Sequence, residues 1–565
     1  MSSLVQHATG GARPPGGPFA LLAMRPLIAA LATIFLGGVI GVVGCSRHET
    51  DVDAGVRTQT LYFGNSAEPP DLDPHTNNAS NVDWICSALF EGLVRLDNDG
   101  VTIHPGVAER WEISPDGLTY TFHLRADARW SNGDPVTADD FLAAFRRFLE
   151  PKLGCEGVNI IFPIVGARDY LEGRNKDFTS VGVKAPDPRT IVLHLQFRAP
   201  YFLTVLADSH LSPLYQPNLD RFNGRDQRGG KWTQPGNLVS NGPFVLTEWQ
   251  PNVVLVVEKN PRYWDAARVR LNAIRFYPIE DVATEERAFR TGQLHITYTL
   301  PFNKLAAYTA RHAPELRSAP VLRGDYVTFG TQHPPFNDPR VRRAFSLAID
   351  REHLTDTVLK GRGNPAFSFV PTGAGGYTFP PFSRYDPNEA KKLLREAGFP
   401  DGAGFPVVEY TLNSRSEDVL LLAQALQQMW QQTLGVKVSL APTEFKVWLD
   451  LLRSKSFAIT ADDWSMGFND PADMLALGVT NDPNDDAGWS SARYDAAFAA
   501  MQAALDETAR RAAIATCEQI LAEDVPYAPV FFSIHTHLVH PTVVGWHDNA
   551  LQKIDWTAVS LAAPH

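Results

Sequence analysis

From about residue 60 to the C-terminus, two different periodicities alternate along one chain. Short β-branched and aromatic runs read as strands: TLYFGNS (60–66), TYTFHL (119–124), TIVLHLQF (190–197), VVLVVEKN (253–260), AIRFYPI (273–279), YVTFG (326–330), VVEYTLN (407–413), VKVSLAP (436–442) and YAPVFFSI (527–534). Between them lie helical start and stop signals. Thr137 with Asp140 caps FLAAFRRFL, and Pro151 ends it. Asp338-Pro339 opens VRRAFSLAI, and Asp386-Pro387 opens NEAKKLLREA, each with proline at the first helical position. Gly398 closes the second of these. Ser414 with Glu417 forms a capping box before DVLLLAQALQQMWQQTL, which Gly435 closes, and residues 494–522 hold one or two Ala-rich amphipathic helices. Such patterning demands α/β layers and excludes a barrel or a bundle. The chain has 565 residues, too many for one core, so roughly two to four domains are expected.

Lys plus Arg number 51 and Asp plus Glu 63, which leaves −12. That balance argues against a nucleic-acid binder, which presents a basic face. The 44% hydrophobic and 20% charged content is globular and excludes a disordered or collagen-like chain.

Residues 27–43, LIAALATIFLGGVIGVV, carry no charge, with Arg25 before them and Gly44-Cys45 after. A basic start, an apolar core and small residues describe a secretory signal. The run resembles a bacterial lipoprotein signal, which implies cleavage after Gly44 and lipid on Cys45. A plain transmembrane anchor is the other reading, since the run is borderline against the ~20 residues a span needs. Residues 24–44 already make a complete signal, so Met1 and Met24 both stand as starts. The polar stretch 46–59 reads as a flexible tether to an extracytoplasmic, membrane-held body.

With Cys45 acylated, Cys86, Cys155 and Cys517 remain, an odd set read as buried free thiols. The chain has no Gly-x-Ser-x-Gly elbow, no His-Glu-x-x-His helix, no phosphate loop and no Cys-x-x-Cys. Nothing calls for a cofactor. In SIHTHLVH, His535 and His537 point to one side of a strand. Such a pair can hold a metal; hydrogen bonding at the surface or between lobes is the plainer reading, also for His540. Asn78-Ala79-Ser80 matches a glycosylation sequon by chance.

Five segments in order carry a resemblance: EPPDLDPHTNNASNVDWICSALFEGLVRLD (68–97), PGVAERWEISPDGLTYTFHLRADARWSNGDPVTADDF (105–141), KWTQPGNLVSNGPFVLTEWQPNVVLVVEKNPRYW (231–264), PPFNDPRVRRAFSLAIDREHL (334–354) and DWSMGFNDPADML (463–475). Together they resemble the oligopeptide/dipeptide-binding proteins of ABC importers, the family 5 extracellular solute-binding proteins. The resemblance implies a two-lobed α/β fold with an additional small domain and a ligand cleft between the lobes. Residues 60–90, 221–322 and 531–565 would build the first lobe, 91–220 the extra domain and 323–530 the second lobe. It implies a monomeric, non-catalytic receptor that captures a peptide or other small solute. The receptor would deliver that solute to two membrane-spanning permease subunits with cytoplasmic ATPases.

The family pattern places Ser80, Arg323, Tyr326, Asp463, Trp464 and Ser465 along the cleft. Its Trp-x-x-Asp carboxylate meets the ligand's α-amine, but the matching position here is Gly467. A carboxylate could reach in from Asp462, Asp463 or Asp470 instead, or the ligand lacks a free α-amine. Arg323 needs an anion, either a ligand carboxylate or a salt bridge to Asp463 or Asp325. Three alternatives stay open. The first is a receptor for a nickel chelate, an opine or an oligosaccharide. The second is a secreted hydrolase with paired carboxylates, and the third is a surface sensor or folding helper on the same fold.

Overall fold

The computed structural model describes residues 49–563 apart from 78, 156, 415 and 416. The signal stretch, Cys45 and Asn78 of the sequon lie outside the described residues, as does part of the Ser414–Glu417 cap.

The segment expected as a flexible tether is, over much of its described length, a helix, Asp51–Thr58. Thr50 and Asp53 form a reciprocal capping box there. The buried Val52 donates its N–H to the Gly292 carbonyl at 2.9 Å. A three-residue cap inside polar sequence thus fastens this segment to the body.

Three sheets organise the rest. In the first, strands β8 (Phe244–Gln250), β9 (Val254–Lys259) and β10 (Ala273–Tyr277) run antiparallel in turn, and β1 (Thr60–Gly64) adds in parallel to β10. Leu61, Phe63, Val257, Ile274 and Phe276 face a core closed by Trp84 and Trp556. The second sheet has the order β4 (Ala108–Ile113), β5 (Thr119–Leu124), β7 (Thr190–His194), β6 (Val183–Asp187). Period-two burial on β5 packs Tyr120, Phe122 and Leu124 into the same core as Phe141, Phe145 and Phe148 of the helix Ala138–Phe148. That helix starts at Thr137 with the expected capping box to Asp140.

The third sheet has six strands, in the order β12 (Gly363–Pro365), β16 (Tyr527–Leu538), β11 (Leu316–Phe329), β15 (Ile459–Ser465), β13 (Val408–Leu412), β14 (Val438–Pro442). Helices Pro339–Leu347, Pro387–Glu396 and Glu417–Leu434 border its core of Val327, Phe329, Phe345, Tyr410, Leu426 and Trp430. Asp338 and Asp386 accept from the N–H groups of Arg340 and Glu389, as their Asp-Pro starts imply. Two minor ribbons pair β2 (Val94–Leu96) with β3 (Ile103–Pro105), and β17 (Val543–Val544) with β18 (Ser560–Leu561).

Strands β11 and β16 are far longer than the runs YVTFG and YAPVFFSI indicate. They pair antiparallel from Leu316↔Leu538 to Thr328↔Tyr527, with register shifts between Pro320 and Gly324 and between Asp325 and Tyr326. Proline in mid-strand is tolerated at such an irregularity because it has no ladder N–H to lose. Beyond β16, Val539 bridges to Ile296, and Ile296 to Phe63 of β1. The strand pair therefore runs from the third sheet to the edge of the first. Cys86, Cys155 and Cys517 are free, with Cys86 and Cys517 buried and Cys155 half-buried.

A buried ion pair ties the second sheet's helix to the first region. Arg147 Nη1 and Nη2 donate to the two oxygens of Asp73 at 3.0 and 2.6 Å, and both side chains are at most 4% exposed. Asp73→Ala leaves that guanidinium buried and unpaired, a loss of about 3–5 kcal/mol. The double change Asp73→Leu/Arg147→Met recovers most of it. Urea unfolding of the three chains measures this, and a single variant within about 1 kcal/mol of the native chain would show that the pair is solvated.

Candidate functional site

The site forms where β11 meets β15. The two strands are antiparallel, with Arg323 opposite Ser465 and Asp325 opposite Asp463, so these four side chains share one face. Further along the strands that face runs into the core as Val327 and Phe329. Near Arg323 it is half open, and Ser465 is exposed. Arg323 Nη2 lies 3.1 Å from Asp325 Oδ1 and 3.2 Å from Asp463 Oδ1. Ser533 of β16 donates to the other Asp325 oxygen at 2.6 Å. The Asp325 carboxylate, with Asp463 behind it, holds Arg323 firmly charged. Burial pushes the Asp463 carboxyl up, against the pull of Arg323. Of the two anions weighed for Arg323, the structure contains the internal one. Its Nε is nonetheless buried with no hydrogen-bond partner among the described residues.

Trp464 lies on the opposite face, partly buried against the second sheet's core. Its Nε1 donates to Asp473 Oδ1 at 2.6 Å. The other Asp473 oxygen accepts the N–H groups of Gly467 at 2.8 Å and Phe468 at 3.2 Å. Asp473 begins no long helix; the four residues Ala472–Leu475 curl it back under the strand end. Burial raises its carboxyl to about 7, and the three donors offset only part of that. A Cβ on Gly467 would lie 3.5 Å from Asp473 Oδ2 and 3.9 Å from Ile160, ordinary contact distances. The carboxylate beside position 467 is therefore that of Asp473, buried and engaged by these three donors.

The residues named from sequence divide accordingly. Asp463, Arg323 and Ser465 come together on one face, and Trp464 and Gly467 around Asp473. Ser80 is exposed at the first turn of the helix Ser80–Leu89. Tyr326 does not line an opening: it is 4% exposed, its ring edge-on to Phe369 and Tyr527, because it alternates to the buried face of β11. Two of the proposed substitute carboxylates are also engaged elsewhere. Asp470 accepts from Arg510 at 2.7 Å, and Asp462 is buried and accepts from Thr328. Asp473 was missed because residues 466–471, between it and the strand end, form no regular element, so no periodicity links it to Gly467.

The segment 91–220 touches residues of 323–530 at three places. Tyr201 stacks on Phe468 at 4.3 Å with planes 12° apart. Arg198 Nη1 donates to the Leu505 carbonyl and Arg168 Nη2 to that of Asn481.

Residues 102–486 match the family of bacterial extracellular solute-binding proteins, family 5 Middle. The chain belongs to that family, whose two-lobed α/β fold the sheets above reproduce. It is 34% identical over 537 residues to the periplasmic oligopeptide-binding protein OppA of Escherichia coli (strain K12), covering 92% of this chain and 95% of that one. Among solved structures, OppA of Haemophilus influenzae in complex with RPPGFSPFR superposes with a TM-score of 0.78 at 29% identity, covering 89% and 99% of the two chains. The murein tripeptide binding protein MppA of Escherichia coli, also 29% identical, gives 0.80 over 89% and 98%. Its unliganded open form gives 0.70 over 89% and 97%.

Gly467 is outside the left-handed region and has room for a side chain, so Gly467→Asp is expected to fold. At pH 5 Asp473, with its carboxyl near 7, is protonated and tolerates the new neighbour. At pH 8 two carboxylates face one another and repel. Thermal unfolding should match the native chain at pH 5 and fall below it at pH 8. A uniform loss at both values would mean that crowding, not charge, is what excludes the side chain.

Proposed function

We propose that this chain is the peptide-capturing receptor of an ABC importer, and that the ligand's main chain adds to the free edge of β15. One observation carries the peptide reading. On one side β15 pairs with β11 as far as Ser465, but on the other it pairs with β13 only at Ile459 and Thr460. Past Thr460 its second edge has no strand partner among the described residues. An extended peptide satisfies such an edge through main-chain hydrogen bonds, which read no side chain and so accept many sequences. The peptide complex of the Haemophilus relative supports the ligand class. Binding, not turnover, is the role of the site.

Asp473 takes the place of the α-amine carboxylate at 467, with Asp463 as a second anion. The unpartnered Arg323 Nε offers a donor to a ligand carbonyl or carboxylate. The domain limits in this reading are 60–90, 221–322 and 531–565 for the first lobe, 91–220 for the extra domain and 323–530 for the second lobe, with β11 and β16 crossing between lobes. The chain acts as a monomer, outside the cytoplasmic membrane, held by lipid on Cys45. Cys45→Ala is expected to move it from the membrane fraction to the soluble one; unchanged fractionation would mean an uncleaved anchor.

Calorimetry with trialanine and its N-acetylated form tests the site. Ionised Asp473 meets the ammonium, so affinity should rise as pH passes upward through about 7. Asp473→Asn should remove that rise and cost about 2 kcal/mol or more at pH 8. No binding of either peptide under any condition would sink the peptide reading. Equal binding of both forms, with Asp473→Asn unchanged, would sink only the role of Asp473.

A further inference from the structure

His210 presents both ring nitrogens to oxygen. Nδ1 stands 2.5 Å from Asp208 Oδ1, and Nε2 stands 2.5 Å from the Asn77 carbonyl oxygen. A carbonyl only accepts. Asp208 is an acceptor here as well: its Oδ1 takes the His210 backbone N–H at 3.0 Å, and its Oδ2 takes Lys553 Nζ at 2.8 Å. Against burial, the Lys553 ammonium holds that carboxyl ionised. A neutral imidazole has one N–H and one lone pair. It can serve only one of the two oxygens and must turn its lone pair on the other. The imidazolium serves both.

We propose that His210 is a proton-operated tie, which as an imidazolium joins the segment 91–220 to the backbone at Asn77 and on losing its proton keeps Asp208 and releases Asn77. The carboxylate is the partner kept, because a charged acceptor makes the bond roughly twice as strong. The proton leaves to solvent, since the His210 side chain is 18% exposed. The Asn77 carbonyl then faces a lone pair, in a residue only 8% exposed, and a buried acceptor without its donor is costly. Asn77 Nδ2 is already buried with no hydrogen-bond partner among the described residues. Asn77 Oδ1 accepts the Ala79 N–H at 2.8 Å, and Ala79 begins the helix Ser80–Leu89 with no side-chain cap of its own. The tie therefore fixes the entry of the helix whose first turn presents Ser80.

The groups around the ring come from three directions. Asp208 precedes it on its own turn. Lys553, from the C-terminal segment, bridges Asp208 and Asp83, and those two carboxylates keep it charged against burial. Asp83, on the helix Ser80–Leu89, also accepts the Ser209 hydroxyl at 2.5 Å. On the remaining side the Phe148 ring lies 6.1 Å from His210 and 5.9 Å from His75. Burial pushes His75 down to about 3, so it stays neutral. Burial would lower His210 too, but the Asp208 carboxylate overrides it and raises the imidazole above its usual value. A raised value means that the tie is complete in acid and is lost as pH climbs through it.

The test follows the full chain, with nitrogen-15 in its histidine rings, by nuclear magnetic resonance from pH 5 to pH 9. The signal missing from His210→Phe identifies the residue among the 16 histidines. Both of its ring nitrogens should stay protonated at a pH where an exposed histidine is neutral. As it titrates, amide hydrogen exchange over residues 79–83 should quicken by about ten-fold beyond the intrinsic rise with pH. In His210→Phe that exchange should be quick throughout, with no step. Asp208→Asn should move the titration to lower pH. Should the phenylalanine variant not fold, the native ring signals and the Asp208→Asn titration decide. A ring that carries a single proton at pH 5, or a titration unmoved by Asp208→Asn, overturns the proposal. So does an exchange step of the same size with phenylalanine at 210.

Discussion

The long pairing of β11 with β16 is the constraint on which the rest depends. A hinge made of loops would let the two lobes tumble; a hinge made of paired strands restricts them to bending where the ladder is irregular. Here the ladder breaks at Pro320–Gly324 and again at Asp325–Tyr326. Arg323 falls within the first of these, so the residue that answers to two carboxylates sits at an irregularity of the ladder. Gly324 is part of the same device: a Cβ there would meet Met474 Cε at 2.7 Å, and Met474 belongs to the turn that carries Asp473. Strand, charge cluster and anion turn are thus packed against one another.

The charges around β15 favour a cationic ligand group in the function proposed above. The region around β15 holds more carboxylates than cations, and burial raises most of them. Asp473 and Glu518 are each pushed to about 7, although Glu518 accepts from the Phe369 and Val370 N–H groups. A carboxyl whose folded value lies above its unfolded one weakens the fold as pH rises between the two values. A ligand ammonium reverses that for Asp473, because it favours the ionised form. Since closing withdraws water, the same ammonium gains more in the closed state than in the open one, which is the differential affinity that a closing receptor requires.

Sequence reading reached the architecture because local signals and tertiary structure agree for most elements. Thr137, Asp338 and Asp386 cap where they should, and β5, β7, β10 and β13 begin and end within a few residues of their runs. It failed where tertiary pairing overrides pattern. The N-terminal half of β11, LRSAPVLRG, carries a proline and three polar residues, and only its partner β16 makes it a strand. β15 was visible as a family segment but not as a strand, because ADDWS lacks β-branched residues. Tyr326 shows the limit of carrying positions across a family: a shift of one residue along a strand exchanges the open face for the buried one. Asp473 shows the converse, a carboxylate that the sequence pattern did not single out but that the fold brings beside position 467.

Two clusters near the first lobe show how this chain treats a gathering of metal-type ligands. Asp83, Asp208 and His210 offer ligand atoms within 4.8 Å of one another. That set is filled by the protein itself: Lys553 Nζ stands 2.9 and 2.8 Å from the two carboxylates. Burial alone would raise the Asp208 carboxyl, but the Lys553 ammonium overrides it and holds the group well below its usual range. Two buried anions are expensive without a cation, and the chain carries its own. At His535 and His537 no counterion is needed, because the two rings hydrogen-bond to each other through their Nδ1 atoms at 3.1 Å.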